Sequence, residues 1–252
     1  MARLLIVFLC FLSFSTLGVA GEYGRIFASS NLEFVFSDMI KSFYAKYPSS
    51  SVHIQYGSSG SLFEDIQDGN KYDIFFSADM RYPQMLYKNG KAVSPPKAYV
   101  RGFLVLIGFD DKVIKQNGLK CLRNSDIKKI MIANKTTAPY GKASIEILKN
   151  AGLYKNVKQK IEYSLDVALV IDGVLWNHYI GFIPKSALGI LPKNKINWID
   201  VDKRLYSPII QGYAISKKGI KNKNAMNFLK FITSPGGGKI FKKYGYETIS
   251  MK

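Results

Sequence analysis

The chain has 252 residues, 47% of them apolar, and its 36 Lys plus Arg stand against 18 Asp plus Glu for a formal net charge of +18. That length holds one large or two modest cores. Two cysteines exclude a disulfide-framework scaffold. The basic residues are scattered, with no run of five or six, so they read as a lysine-rich solvated surface; without a recognition motif, a nucleic-acid partner is not expected.

Residues 1–20 read as an export signal. Arg3 supplies a minimal positive start, Leu4 to Leu12 is apolar and uncharged, and Gly18 and Ala20 are the small residues a cleavage site wants. The expectation is cleavage near Ala20 and a periplasmic mature chain. Nothing later approaches the ~20 apolar residues of a spanning helix. Cleavage removes Arg3 alone among the charged residues and so lowers the net charge by one, to +17, and it leaves Cys121 as the sole cysteine. A lone thiol without a motif reads as a small buried hydrophobe.

Strand-like and helix-like segments then alternate, which predicts an α/β protein with largely parallel sheets. After Arg25-Ile26-Phe27, the apolar residues Leu32, Val35, Phe36, Met39, Ile40, Phe43, Tyr44 and Tyr47 recur at three- and four-residue steps up to Pro48, an amphipathic helix. Val52 to Tyr56 alternates as a strand, Leu62 to Asp68 is a short helix stopped by Gly69, and Tyr72 to Ala78 is a buried strand. The long apolar run Tyr99 to Phe109 leads to strand Lys129–Ala133, helix Gly141–Ala151, strand Lys160–Tyr163, helix Asp166–Trp176 and strands Tyr179–Ile183 and Asn197–Val201. Ile209 to Ser216 is a further strand. Helices Asn222–Thr233 and Lys239–Tyr244 flank a break at Ser234-Pro235-Gly236.

Catalysis finds little support. Gly57-Ser58-Ser59-Gly60-Ser61 lacks the final glycine of a nucleophile elbow, the two histidines sit in no motif, no Cys/His cluster has metal-ligand spacing, and Gly236-Gly237-Gly238-Lys239 lacks the Walker spacing. The chain is not expected to be an enzyme. Two other turns stand out: Phe27-Ala28-Ser29-Ser30-Asn31-Leu32 and Tyr56-Gly57-Ser58-Ser59-Gly60-Ser61-Leu62. Each joins a strand to a helix and presents hydroxyls and free N–H groups at a helix start without a single charged residue. Ser61-Leu62-Phe63-Glu64 fits a capping box, which assigns Ser61 to its own helix, and Ser58 can do the same job through the turn. Ser30, Asn31 and Ser59 remain as candidates for a small anion held at the carboxyl ends of adjacent strands.

These turns, with Tyr72-Asp73-Ile74-Phe75-Phe76-Ser77-Ala78-Asp79, Ile132-Ala133-Asn134-Lys135-Thr136-Thr137-Ala138-Pro139-Tyr140-Gly141, Gly181-Phe182-Ile183 and Lys243-Tyr244-Gly245-Tyr246, resemble in order and spacing the periplasmic molybdate- and tungstate-binding proteins of bacterial ABC importers, the ModA type. The resemblance covers essentially the whole mature chain. It implies the two-lobed periplasmic-binding-protein fold (type II), with residues 21–100 plus 212–252 in one lobe, 101–211 in the other, and the ligand between them. It further implies oxyanion contacts from Ser30 or Asn31, from Ser59, from the Tyr140 position and from the backbone N–H of Val167. One family branch has serine where Asn31 stands and a tyrosine where Pro184 stands; a second has asparagine and the Thr-Ala-Pro-Tyr-Gly turn, and this chain looks closer to the second. The implied ligand is molybdate or tungstate, with no cofactor, and the implied partner is a membrane permease, the chain itself being a monomer. Readings left open by the residues are another small oxyanion or carboxylate, a secreted basic adhesin, and a hydrolase.

Overall fold

The computed structural model describes residues 23–109, 111–192 and 195–249, with side chains from residue 114 onward in the segment that follows residue 110. The expected export signal lies outside the described residues. Eleven strands are seen among them: β1 (Gly24–Ser29), β2 (Val52–Gly57), β3 (Ile74–Ser77), β4 (Lys97–Gly102), β5 (Leu104–Gly108), β6 (Ile130–Ala133), β7 (Ile161–Ser164), β8 (Ile180–Pro184), β9 (Asn197–Asp200), β10 (Ile209–Ile215) and β11 (Glu247–Thr248). The helices are α1 (Glu33–Lys46), α2 (Ser59–Gln67), α3 (Arg81–Lys88), α4 (Asp111–Asn117), α5 (Pro139–Asn150), α6 (Tyr154–Val157), α7 (Val167–Asn177), α8 (Lys223–Ile232) and α9 (Pro235–Lys243).

Two sheets result, one per lobe of a type II binding-protein fold. The first has the order β11-β4-β10-β3-β1-β2 and the second β7-β6-β8-β5-β9. The expected parallel pairing holds for β2-β1-β3 and for β7-β6-β8, but β10 runs antiparallel to both β3 and β4, and β5 antiparallel to both β8 and β9. The sheets are therefore mixed. The reversed strands β5 and β10 are each the first strand laid down after the chain crosses from the other sheet, while β11, antiparallel to β4, ends the first sheet. The crossing is abrupt at Phe103, which alone separates β4 from β5, so the apolar run Tyr99 to Phe109 is two strands in two sheets. The return lies between Asp200 and Ile209.

In the first lobe, α1, α8 and α9 cover one face of the sheet. Phe36, Met39 and Phe43 on α1 point inward at helical spacing and are fully buried. Phe36 stands edge-on to Phe76 of β3 at 5.6 Å and to Phe228 of α8 at 5.4 Å, the aromatic geometry favoured over flat stacking. Leu62, Phe63 and Ile66 of α2 and Leu86 of α3 cover the other face around Phe75. In the second lobe, α5 and α7 flank the buried β6 and β8.

Caps set the helix starts. Ser58, not Ser61, caps α2: its Oγ accepts from the Ser61 N–H at 3.3 Å, and the two hydroxyls pair at 2.8 Å. The helix begins three residues earlier than the capping-box reading placed it, at Ser59 instead of Leu62. Likewise α9 begins at Pro235, with Ser234 Oγ accepting from Gly237 N–H, so the Ser-Pro-Gly segment starts a helix. Cys121 is buried, and burial pushes its thiol up to about 11.

One buried polar knot ties the ends of the first lobe together. Asp73, 3% exposed, accepts from Arg25 N–H at 2.8 Å and from Asn222 Nδ2 at 3.0 Å, while Asn222 Oδ1 caps α8 by accepting from the N–H groups of Asn224 and Ala225. Asn222→Ala removes the cap and one partner of a buried carboxylate together. It should cost about 2–3 kcal/mol in urea denaturation, several times the loss from Asn227→Ala on the same helix, whose amide reaches only Ser50 Oγ.

Candidate functional site

Four strand-to-helix junctions, two from each lobe, face one another. In the first lobe β1 and β2 are parallel and in register, Ser29 opposite Gly57, so both end at one edge. From that edge Ser30–Leu32 turns into α1, and Ser58 leads into α2. In the second lobe β6 and β7 are parallel with Ala133 opposite Ser164, and α5 and α7 begin just beyond. Each junction places first-turn N–H groups, which have no acceptor within their helix, at the same end of its sheet.

The lobes are closed on each other at these junctions. Gly60 N–H donates to Thr137 O at 2.7 Å, and the Tyr82 hydroxyl donates to Thr136 O at 3.1 Å. Arg81 reaches the same carbonyl at 3.2 Å, lies over the Tyr82 ring at 4.2 Å and hydrogen-bonds the Tyr82 hydroxyl. The start of α7 packs against the 30–32 turn, and Phe34 of α1 belongs to the hydrophobic core of the opposite lobe.

Ser30, Asn31, Ser59, Tyr140 and Val167 are all buried in this closed region, each 3% exposed or less. The Ser30 hydroxyl forms no hydrogen bond among the described residues. Ser59 Oγ accepts from Ala78 N–H at 2.9 Å, which orients the hydroxyl and leaves its proton to donate elsewhere. The backbone N–H groups of Tyr140 and Val167 stand in the first turns of α5 and α7 with no acceptor among the described residues. Asp166 caps α7, with Oδ1 accepting from Ala168 N–H at 2.9 Å and Leu169 N–H at 3.2 Å, so those deeper amides are already taken.

Two side chains are arranged differently from a simple ring of donors. The Tyr140 hydroxyl accepts from Gln211 Nε2 at 3.1 Å between the lobes, so what α5 offers at its start is backbone. Burial and the neighbouring Tyr246, Tyr206 and Tyr99 hold the Tyr140 hydroxyl well above its ordinary range, so it stays protonated. Asn31 gives its Nδ2 protons to Gln211 Oε1 at 3.1 Å and to the Tyr246 hydroxyl at 2.9 Å, and its Oδ1 has no partner. Acidic groups also lie close by. Burial, followed by Asp166 and Asp172, raises the Glu33 carboxyl, the first residue of α1. Sequence reasoning missed Gln211, Tyr246, Arg81 and Tyr82; the signal for Gln211 was a polar residue inside the apolar strand Ile209–Ile215.

Gly60 is a point of close approach between the lobes. A Cβ there would stand 2.7 Å from Thr137 Cα, a backbone atom that cannot rotate away. Gly60→Ala should therefore hold the lobes apart: small-angle scattering should give a larger radius of gyration than wild type, with an unfolding free energy in urea within about 1 kcal/mol of it. An unchanged radius of gyration would show that closure does not depend on this contact.

Residues 25–247 match the family model described as bacterial extracellular solute-binding protein. The chain is 30% identical over 213 residues to the molybdate-binding protein ModA of Azotobacter vinelandii, covering 82% of this chain and 83% of that one. It is 29% identical over 200 residues to the molybdate-binding protein ModA of Rhodobacter capsulatus, covering 79% and 78%. The solved periplasmic molybdate-binding protein of Azotobacter vinelandii superposes with a TM-score of 0.81 at 26% identity, covering 91% of this chain and all of that one. Two lobes closed over facing helix starts, and a family match running from β1 to β11, place this chain among the bacterial extracellular solute-binding proteins.

Proposed function

We propose that this protein captures molybdate or tungstate between its lobes and delivers it to the membrane permease of an ABC importer, without chemistry on the ligand. The observation that carries the reading is the set of unengaged donors at the facing helix starts: the Ser30 hydroxyl, the Ser59 proton, and the N–H groups of Tyr140 and Val167. Helix starts favour anions through their free N–H groups and their dipoles. Molybdate and tungstate carry no proton at neutral pH, so donors alone satisfy their oxygens, whereas the O–H of hydrogen phosphate would meet another donor. The relatives named for molybdate binding support the same ligand.

In this reading residues 1–20 are an export signal cleaved near Ala20, and the mature protein works as a periplasmic monomer with no nucleic-acid partner. The first lobe is residues 21–102 plus 209–252 and the second lies between the crossings at Phe103 and 201–208, two or three residues from the expected boundaries at 100/101 and 211/212, because β4 and β10 both belong to the first sheet. A ligand touched by both lobes favours the closed state by the difference between its affinities for closed and open forms. That difference gives the permease a signal to read.

Molybdate or tungstate at ~100 times the dissociation constant should add about 2.7 kcal/mol to the folded state, seen as a rise in melting temperature. Sulfate and phosphate should add little, and an equal response to sulfate would contradict selection by size. Ser59→Ala should weaken molybdate binding by roughly 1.5–3 kcal/mol, the scale of a hydrogen bond to a charged group. Ser61→Ala should leave affinity close to wild type, since Ser58 Oγ still receives the backbone N–H of residue 61. Calorimetric titration checks both, and a binding defect confined to Ser61→Ala would show that the second turn is read one position out.

A further inference from the structure

Behind the 30–32 turn runs a buried chain of polar side chains drawn from both lobes. Asn31 Nδ2 donates to Gln211 Oε1 at 3.1 Å and to the Tyr246 hydroxyl at 2.9 Å. The Tyr99 hydroxyl donates to the same Gln211 oxygen at 3.3 Å, and Gln211 Nε2 donates to the Tyr140 hydroxyl at 3.1 Å. The Ser186 hydroxyl donates to the Asn31 carbonyl at 3.2 Å. Asn31 and Gln211 have no exposed surface, yet Asn31 Oδ1 lacks any hydrogen-bond partner among the described residues. A buried acceptor left unpaired is costly, and this one sits beside Ser30, in the turn assigned to the ligand.

A carboxamide presents an oxygen on one side and an NH2 on the other at nearly equal size, so a half-turn exchanges donor for acceptor. A half-turn of Asn31 alone would set its oxygen against Gln211 Oε1. A half-turn of both amides keeps their contacts with the directions reversed. Gln211 Nε2 then donates to Asn31 Oδ1 and to the Tyr99 hydroxyl, the Tyr140 hydroxyl donates to Gln211 Oε1, and the Tyr246 hydroxyl, which otherwise donates to the Asn31 carbonyl at 3.0 Å, donates to Asn31 Oδ1 and leaves that carbonyl to Ser186. Asn31 Nδ2 moves into the place of the unpaired oxygen. Tyr99 and Tyr140 can serve in either direction because burial keeps both phenols protonated.

We propose that Gln211 is a positioning residue for the oxyanion: turning together with Asn31, it converts the unpaired acceptor of the first turn into an N–H donor for the ligand. The proposal rests on the oxyanion reading of the cleft. The two arrangements keep the same side-chain amide contacts, the second gives up the Tyr246 bond to the Asn31 carbonyl, and an anion in the cleft that accepts from Nδ2 offsets that loss. An anion repels Oδ1 and accepts from Nδ2. The same rotation links the first turn, through Gln211 on β10, to the Tyr140 side chain in the opposite lobe, so ligand contact and interlobe contact change polarity as one unit.

The test is a double-mutant cycle read by calorimetric titration with molybdate. Asn31→Ala and Gln211→Met should each weaken binding about tenfold, the scale of one hydrogen bond to a charged group. The double variant should bind like Asn31→Ala alone, because Gln211 acts through Asn31, a non-additivity that a merely structural role would not give. Losses that multiply to about a hundredfold would overturn the proposal, as would a Gln211→Met protein that binds like wild type. Should Gln211→Met fail to fold, Tyr140→Phe, which deletes one hydroxyl and keeps the ring, replaces it in the same cycle with the same expected non-additivity. Asn31→Ala binding as tightly as wild type would overturn this proposal and leave the oxyanion reading intact. A wild-type protein that binds no molybdate would overturn both.

Discussion

Helix first turns expose N–H groups that the helix itself cannot satisfy, and four such turns meet where the two lobes close. That constraint organises the rest of the molecule. Parallel pairing of β1 with β2 and of β6 with β7 brings two helix starts to one edge in each lobe. Closure then sets the two edges against each other, with Gly60 N–H donating to Thr137 O at 2.7 Å. The amides of Tyr140 and Val167 have no acceptor among the described residues, and in the proposed reading a small anion supplies one.

The chain around this site is built to hold it shut without holding it rigid. The strands cross between sheets through Phe103 alone in one direction and through 201–208 in the other, so the lobes are coupled through few backbone connections. A hinge of crossing strands has a small repertoire of open and closed states. Arg81 and Tyr82 meet Thr136 at the rim, where side-chain contacts break and form at low cost, whereas the Asn31–Gln211–Tyr140 chain lies at the base and is fully buried. Rim and base thus differ in what they respond to: the rim to the approach of the lobes, the base to the charge between them.

Much of this was legible in the sequence because it depends on local pattern. The three- and four-step apolar spacing of α1, the alternation in β2 and the glycine stops after α2 and α5 report directly on which face is buried. The serine turns were legible because capping and anion binding use the same small residues. What the sequence hid depends on distance. Nothing in Tyr99–Phe109 marks Phe103 as the crossing point, since both halves are equally apolar and each is buried in its own sheet. Ser58 rather than Ser61 became the cap because Ser59 and Gly60 take helical positions under the opposite lobe, a tertiary effect. Gln211 is 180 residues from Asn31 and 71 from Tyr140, and a polar residue in an apolar strand says only that a partner exists. Neither the unpaired Asn31 oxygen nor the acids near Glu33 could be inferred from turns that are themselves uncharged.

If the facing helix starts hold a tetrahedral oxyanion, anomalous diffraction at the molybdenum edge from crystals grown with molybdate will locate it. One strong peak is expected between the lobes, with the anion's oxygens within ~3 Å of the Ser30 and Ser59 hydroxyls and the N–H groups of Tyr140 and Val167. A peak elsewhere on the lysine-rich surface, or none, in a protein whose lobes remain closed would contradict the oxyanion reading.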